Sequence, residues 1–103
     1  MDDLIAFLHA RLGNDRERAP FLRTLAALQP PDMKRELEDM ADWIERDIAA
    51  KLRIVATYTE VDAHPNRLVY AFMQQQWVAL RAVMVGLALP YADHEDYREE
   101  WKP

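Results

Sequence analysis

The residues best suited to chemistry lie close together near the carboxyl end of the sequence. Two tyrosines, two aspartates and a histidine fall within seven consecutive positions. They are Tyr91, Asp93, His94, Asp96 and Tyr97. An aspartate beside a histidine, with another carboxylate nearby, could bind a metal ion or position a general base. Adjacent residues on a helix point in different directions, which makes Asp93 and His94 a poor pair of ligands. The structural interpretation is that Asp93 caps a short helix, the tyrosines pack on the core and His94 is solvated.

A second set of carboxylates repeats every three residues along the middle of the chain. It consists of Glu36, Asp39, Asp42 and Glu45. Carboxylates on facing helices hold magnesium in all-helical nucleotide pyrophosphohydrolases, so this spacing raises the hypothesis of a metal enzyme acting on nucleotides. Such a site needs acids from a second helix, and residues 68–89 contain none. A solvated acidic face is the interpretation that we favour.

Several other kinds of site are excluded by the composition. The chain has no cysteine and no serine, which removes disulfides, thiolate zinc sites and both cysteine and serine nucleophiles. Its three histidines, His9, His64 and His94, have no spacing that would pair them as ligands. Gly13 and Gly86 are its only glycines, so no glycine-rich loop is present to hold a phosphate. The sequence predicts no cofactor and no metal.

The charge is acidic and lies mainly in the middle third of the chain. The formal net charge is −5, and residues 31–62 hold nine acids against five bases. Because phosphate backbones and anionic membranes attract lysine and arginine, we expect neither nucleic acid nor membrane as a partner. The amino-terminal residues lack the basic start of a signal peptide. We therefore expect a cytoplasmic protein.

Apolar periodicity predicts an all-α fold, a small helical bundle in one domain over residues 1–103. Residues 32–61 and 66–89 form a long antiparallel helix hairpin, because apolar side chains recur in both at spacings of three and four. Residues 68–89 are the least charged stretch and are interpreted as the central helix against which the rest packs. Gln74, Gln75, Gln76 and Arg81 interrupt that stretch, which excludes a membrane span.

Short helices are predicted to cover the hairpin. One covers residues 4–12 and ends where Gly13 and Asn14 permit a left-handed cap. A second covers residues 20–28, and a last short helix follows Asp93 and is closed onto the body by Trp101.

Some side chains have no predicted partner within one chain. At least one of the three consecutive glutamines is expected to face inward, where it could fix the register of a helix pair, although the alternative that two are exposed is equally open. Five apolar residues also lie off the main stripes, which predicts a homodimer through a self-complementary face. They are Trp43, Ile54, Tyr58, Tyr70 and Val85.

Motifs at both ends of the chain, and one in the middle, cover about a quarter of the sequence. They are Met1–Leu4, Phe7–Leu8, Ala10–Leu12, Ala50–Val55, Leu87–His94, Asp96–Arg98 and Trp101. In these residues the chain resembles a family of small actinomycete and actinophage proteins known only as a domain of unknown function. Members of that family usually carry a Gly-Pro-Trp segment where this chain has residues 20–28. The resemblance implies an intracellular setting and an actinobacterial or phage source, with no assigned activity, cofactor or catalytic residue.

The function that these features favour is binding to another protein, or to a second copy, and not catalysis. The candidate interaction surface is the carboxyl-terminal segment with its aromatic residues, because Trp and Tyr concentrate binding energy at interfaces. Its members are Tyr91, Asp93, His94, Asp96, Tyr97 and Trp101. Two alternatives stay open: a carboxylate-dependent metal enzyme acting on nucleotides, and an acidic decoy of a DNA-binding protein.

Overall fold

The computed structural model describes residues 3–103, and every regular element in that range is helical. The α-helices are α1 (Asp3–Arg16), α2 (Arg18–Ala26), α3 (Pro31–Ala63) and α4 (Ala71–Ala88). Two single 3₁₀ turns follow, at Leu89–Tyr91 and Glu99–Trp101. The all-α prediction is confirmed. The predicted short carboxyl-terminal helix is present as the 3₁₀ turn at Glu99–Trp101. It does not start directly after Asp93, because residues 92–96 form turns and a bend.

Helix α3 is the element that the other helices share. Its 33 residues give a length of ~50 Å, and the protein is accordingly elongated, with extents of 58 × 27 × 20 Å. Pro31 occupies the first helical position, where a proline costs no hydrogen bond. Helices α1, α2 and α4 all pack against α3, and α4 buries only Met84 and Ala88 fully. The prediction that residues 68–89 form the central helix is therefore wrong, because the longer α3 has that role.

Helices α3 and α4 form the predicted antiparallel hairpin. The indole Nε1 of Trp77 donates to Asp62 Oδ1 at 3.0 Å, and Arg81 Nη1 donates to the Tyr58 hydroxyl at 2.8 Å. Later residues of α3 thus meet earlier residues of α4. Helix α4 begins at Ala71, not at residue 66, because residues 65–69 form turns and the Gln74 amide donates to the Leu68 carbonyl. Within residues 3–103, no helix is long and apolar enough to span a membrane.

The core lies where α1, the second half of α3, the end of α4 and the carboxyl-terminal segment meet. Helix α1 supplies nearly half of its buried side chains. The members of this core are Leu4, Ile5, Phe7, Leu8, Leu12, Ile48, Val55, Tyr58, Met84, Ala88 and Trp101. Residues 31–43 of α3 extend beyond this core, and α2 packs beside this part of the helix.

Tyr58 does not belong among the side chains without a partner. Its ring is fully buried, 6.3 Å from that of Trp77, and its hydroxyl accepts the hydrogen bond from Arg81. Ile54 and Val85 are half-buried. Trp43 and Tyr70 are exposed, at 66% and 51%. The prediction for Tyr58 is wrong, because α4 supplies the polar and aromatic neighbours that its position in α3 does not reveal.

Two expectations about polar residues also need correction. All three glutamines, Gln74, Gln75 and Gln76, have exposed side chains, so none faces inward. The acids of α3 are not all on an open face, because Arg23 of α2 pairs with Asp42 at 2.8 Å and with Glu45 at 3.1 Å. These two carboxylates help to hold α2 in place, although such exposed pairs contribute little free energy.

Gly13 does not end the first helix. Helix α1 continues through Gly13 and Asn14 to Arg16, and no residue in the range 3–103 has a positive φ. The predicted left-handed cap is wrong, since the helix is held by the packing of its apolar side and not by its local ending. Gly13 therefore occupies a helix interior, where its missing side chain is a disadvantage.

Replacing Gly13 with Ala should stabilise the protein by about 1 kcal/mol, the difference in helix propensity between the two residues. A Cβ atom added at this position meets nothing within 4 Å, so no steric cost opposes the gain. Urea unfolding followed by circular dichroism would measure it. Ala10→Gly, on the same helix, should lose a similar amount. Unchanged or lowered stability in Gly13→Ala would contradict the placement of Gly13 inside α1.

Candidate functional site

The carboxyl-terminal segment runs antiparallel along α1. Its contacts descend α1 as the segment advances, from Tyr91 at Asp15, through His94 at Arg11, to Arg98 at Asp3. Of residues 89–103, only the two 3₁₀ turns have regular structure. Contacts with α1, and not a helix of its own, therefore fix this segment.

Phe7 is the centre of these contacts. Its ring lies within 5.0–6.2 Å of four other rings, measured between centroids, and three of the four meet it edge to face. The four rings belong to Tyr91, His94, Tyr97 and Trp101. Edge-to-face packing adds stabilisation beyond the burial of the rings themselves. We call these five residues the aromatic cluster.

Polar contacts flank the aromatic cluster on the α1 side. The Arg98 guanidinium lies 2.7 Å from Asp3 and over the Trp101 ring. The Tyr91 hydroxyl donates to the Asp15 carboxylate, and Arg11 contacts His94 while its guanidinium lies over the Phe7 ring. The Arg98–Asp3 pair is more than half exposed and adds little stability, so the buried rings dominate the energy of this contact.

His94 does not form the pair with a carboxylate that general-base chemistry needs. Its Nδ1 accepts from the backbone N–H of Asp96 at 3.0 Å, and its Nε2 faces Arg11. The Asp96 carboxylate is 3.9 Å from Nδ1, beyond hydrogen-bond distance. Within the described part of the chain, no three His, Asp or Glu side chains converge as metal ligands.

The six residues of the predicted interaction surface differ in exposure. Trp101 is 3% exposed and belongs to the core, whereas Tyr91, His94 and Tyr97 are half-buried. Asp93 and Asp96 are exposed, and Asp93 does not cap a helix, since Arg98 precedes the second 3₁₀ turn. The rings expected to contact a partner thus pack largely on the chain's own α1.

Sequence reasoning missed Phe7, Arg11 and Asp15 as the residues that hold this segment. They recur along α1 at spacings of four, which is a signal for a shared helix face. Asp15 contacts a residue 76 positions further along the chain, and Arg11 contacts one 83 positions further along. No local pattern relates residues so far apart.

A cleft of about 560 Å³ opens beside Tyr91, between α1 and α3. Arg11, Arg18, Asp15 and Asp47 line it, together with Trp43 and Lys51, among others. Asp15 accepts from Tyr91, and Asp47 pairs with Lys51 at 2.8 Å. Both carboxylates of the cleft therefore already bind groups of the same chain. The residues that line the cleft include no paired nucleophile and base.

Replacing Trp101 with Ala should destabilise the protein by about 3–5 kcal/mol, the usual cost of removing a buried large aromatic side chain. Denaturant unfolding, monitored by circular dichroism, is the measurement. Trp43→Ala is the matched control, because Trp43 is 66% exposed and should cost less than about 1 kcal/mol. Similar losses in the two variants would show that the aromatic cluster does not hold the carboxyl-terminal segment.

Burial raises the pKa of Tyr91 well above its ordinary value, and the hydrogen bond to Asp15 raises it further. Because the folded state holds this proton more tightly than the unfolded chain, the stabilisation is complete below about pH 10 and is lost as the pH rises towards the folded-state pKa. The stability difference between wild type and Tyr91→Phe should stay constant to about pH 9 and shrink above about pH 10. Urea unfolding across this range measures it, with Tyr70→Phe as the control for an exposed hydroxyl. If the stability difference between wild type and Tyr91→Phe did not depend on pH, the raised pKa of Tyr91 would be contradicted.

Comparison with known proteins matches the chain to a protein family over its whole given length. No curated protein and no solved structure matches the chain. The model of the family of unknown function DUF6221 matches residues 1–103. The match includes the segments that meet in the aromatic cluster, and the chain belongs to this family.

Proposed function

We propose that this protein is an interaction module that binds another protein through the outer side of α4. The observation that carries the proposal is an uncharged stripe of residues on that side, at spacings of four, three, four and three. We call this stripe the outer face. It consists of Phe72, Gln76, Ala79, Val83 and Gly86.

Every residue of the outer face is exposed. Phe72 is 69% exposed and Val83 is 45% exposed. The turn that precedes α4 adds two more apolar side chains, Leu68 at 57% and Val69 at 70%. An exposed, uncharged and mostly apolar surface of this kind is typical of a site that contacts a partner.

The absence of charge distinguishes this side of α4 from an ordinary surface helix. The only charged residue of α4 is Arg81, and its guanidinium donates to Tyr58 on the inner side. Spacings that alternate between three and four residues are those of helices that pair side by side. A partner that offers an apolar helix is the kind that this face fits.

The carboxyl-terminal segment, predicted as the interaction surface from sequence, is less suited to this role. Its largest aromatic side chain, Trp101, is buried against Phe7. A second group of exposed apolar residues lies on α2 and in the turn that follows it, and Phe21 and Leu28 are its most exposed members, at 67% and 80%. The actinobacterial or phage source suggested by the sequence stays a prediction.

Photo-crosslinking in the native cells tests the proposal. Benzoylphenylalanine at position 76, within the outer face, should give discrete adducts with protein, and the same group at position 53 on the exposed side of α3 should not. Adding Phe72→Gln and Val83→Gln should reduce the yield of adducts about tenfold or more, because replacing the apolar side chains at the centre of an interface weakens binding. Circular dichroism would show that this variant is still folded.

Adducts of equal yield from positions 76 and 53, or none from position 76, would argue against an interaction role for the outer face. The mass of each adduct reports the size of the partner, whatever that partner is. This readout tests the face without assuming which protein binds it.

A further inference from the structure

We infer that the partner of the outer face is a second copy of this chain, with the two α4 helices packed antiparallel. This inference rests on the proposed function of the outer face. The two-fold axis passes between Gln76 and Ala79, at the middle of the stripe. A residue that precedes this axis in one copy then faces the residue that follows the axis by the same distance in the other copy.

In this arrangement each larger residue of the stripe faces a smaller one. Phe72 of one copy lies opposite Val83 of the other, and Gln76 lies opposite Ala79. The two-fold axis repeats both layers, so the same five residues supply both sides of the contact. Alternation of large and small side chains is what allows two helices to interdigitate at a close distance.

Gly86 fits the same arrangement. Glycine is a poor helix former, yet Gly86 is inside α4, and a Cβ atom added there would meet nothing of its own chain within 4 Å. Packing within the chain therefore does not require a glycine. In the antiparallel pair this position lies towards the turn that precedes α4 in the second copy, which carries the exposed apolar residues Leu68 and Val69.

The charge distribution also favours a second copy on this face. Each chain has a formal net charge of −5, so two copies repel each other over most of their surfaces. The outer face holds no acid and no base. It is a surface where two copies can meet without bringing carboxylates together.

The exposed area matches the need of a dimer. A stable interface buries about 800 Å² on each partner, of which about 65% is apolar in homodimers, or roughly 500 Å². Leu68, Val69, Phe72 and Val83 are 45–70% exposed. At roughly 150–200 Å² for each side chain they offer about 400 Å². Ala79, Gly86 and the methylene groups of Gln76 supply most of the remainder.

Analytical ultracentrifugation of the full chain at about 100 μM is the first test. Wild type should sediment as a dimer of twice 12.1 kDa. Phe72→Glu should weaken association at least about 30-fold, because it places a charge in the most apolar layer. Phe21→Glu is the matched control, since Phe21 is 67% exposed where Phe72 is 69%, and it should leave the dimer unchanged. Circular dichroism would show that both variants are folded.

A clean monomer of wild type at this concentration would overturn the inference. Dissociation by Phe21→Glu, with no effect of Phe72→Glu, would also overturn it and assign the interface to α2. If the purified chain is monomeric while crosslinking at position 76 captures a protein of another mass, the proposed function stands and only the identity of the partner is wrong.

Disulfide crosslinking tests the antiparallel orientation, and the absence of cysteine from the chain keeps the readout free of background. In the antiparallel pair the two copies of position 83 are separated by roughly 16 Å along the helix axis, too far for a disulfide. Val83→Cys alone, and Phe72→Cys alone, should therefore stay uncrosslinked on oxidation. A mixture of the two variants should give a crosslinked dimer. Crosslinking of each variant with itself would show a parallel pair and overturn the arrangement.

Discussion

The packing of Phe7 among four carboxyl-terminal rings is the interaction on which the rest of the structure depends. The segment after α4 has only two 3₁₀ turns, and structure this short is not stable without tertiary contacts. The aromatic cluster supplies those contacts and buries Trp101. It covers α1 from one side while α3 and α4 pack against the other, so the buried stripe of α1 can be apolar throughout. The two ends of the chain thus complete one core.

This core is placed at one end of a long helix, and its position determines which surfaces remain open. Helix α3 is about 50 Å long, and α1 and α4 cover its second half, leaving α2 beside the first. Helix α4 contacts α3 along its inner side through Trp77 and Arg81, and it buries Met84 and Ala88 near its end. Nothing within residues 3–103 covers its outer face, since every residue of that face is exposed.

The sequence predicts helices whose apolar residues repeat without interruption, and it fails where long-range contacts decide the structure. Helix α3 is predicted at 32–61 and found at Pro31–Ala63, because one apolar stripe runs through it between a double proline and His64-Pro65. The start of α4 is missed, since Leu68 and Val69 continue its apolar pattern while lying in turns. The sequence shows that the candidate site is rich in aromatic residues, but it does not show that these rings pack on Phe7. The pairing of Phe7 with Trp101 joins residues 94 positions apart, and no periodicity encodes it.

The two sides of α4 explain why an interaction role is the one that we propose. On α3 acids and bases, among them Glu36, Arg46 and Arg53, lie between the exposed apolar residues, as expected for an ordinary surface helix. The exposed side of α4 carries none, although charge there would cost nothing within the chain. Its inner side is fixed by hydrogen bonds from Trp77 and Arg81 to α3, so the outer face is presented by a helix that is already ordered. A preformed surface has little conformational entropy to lose on association, and a modest apolar stripe is then enough to bind.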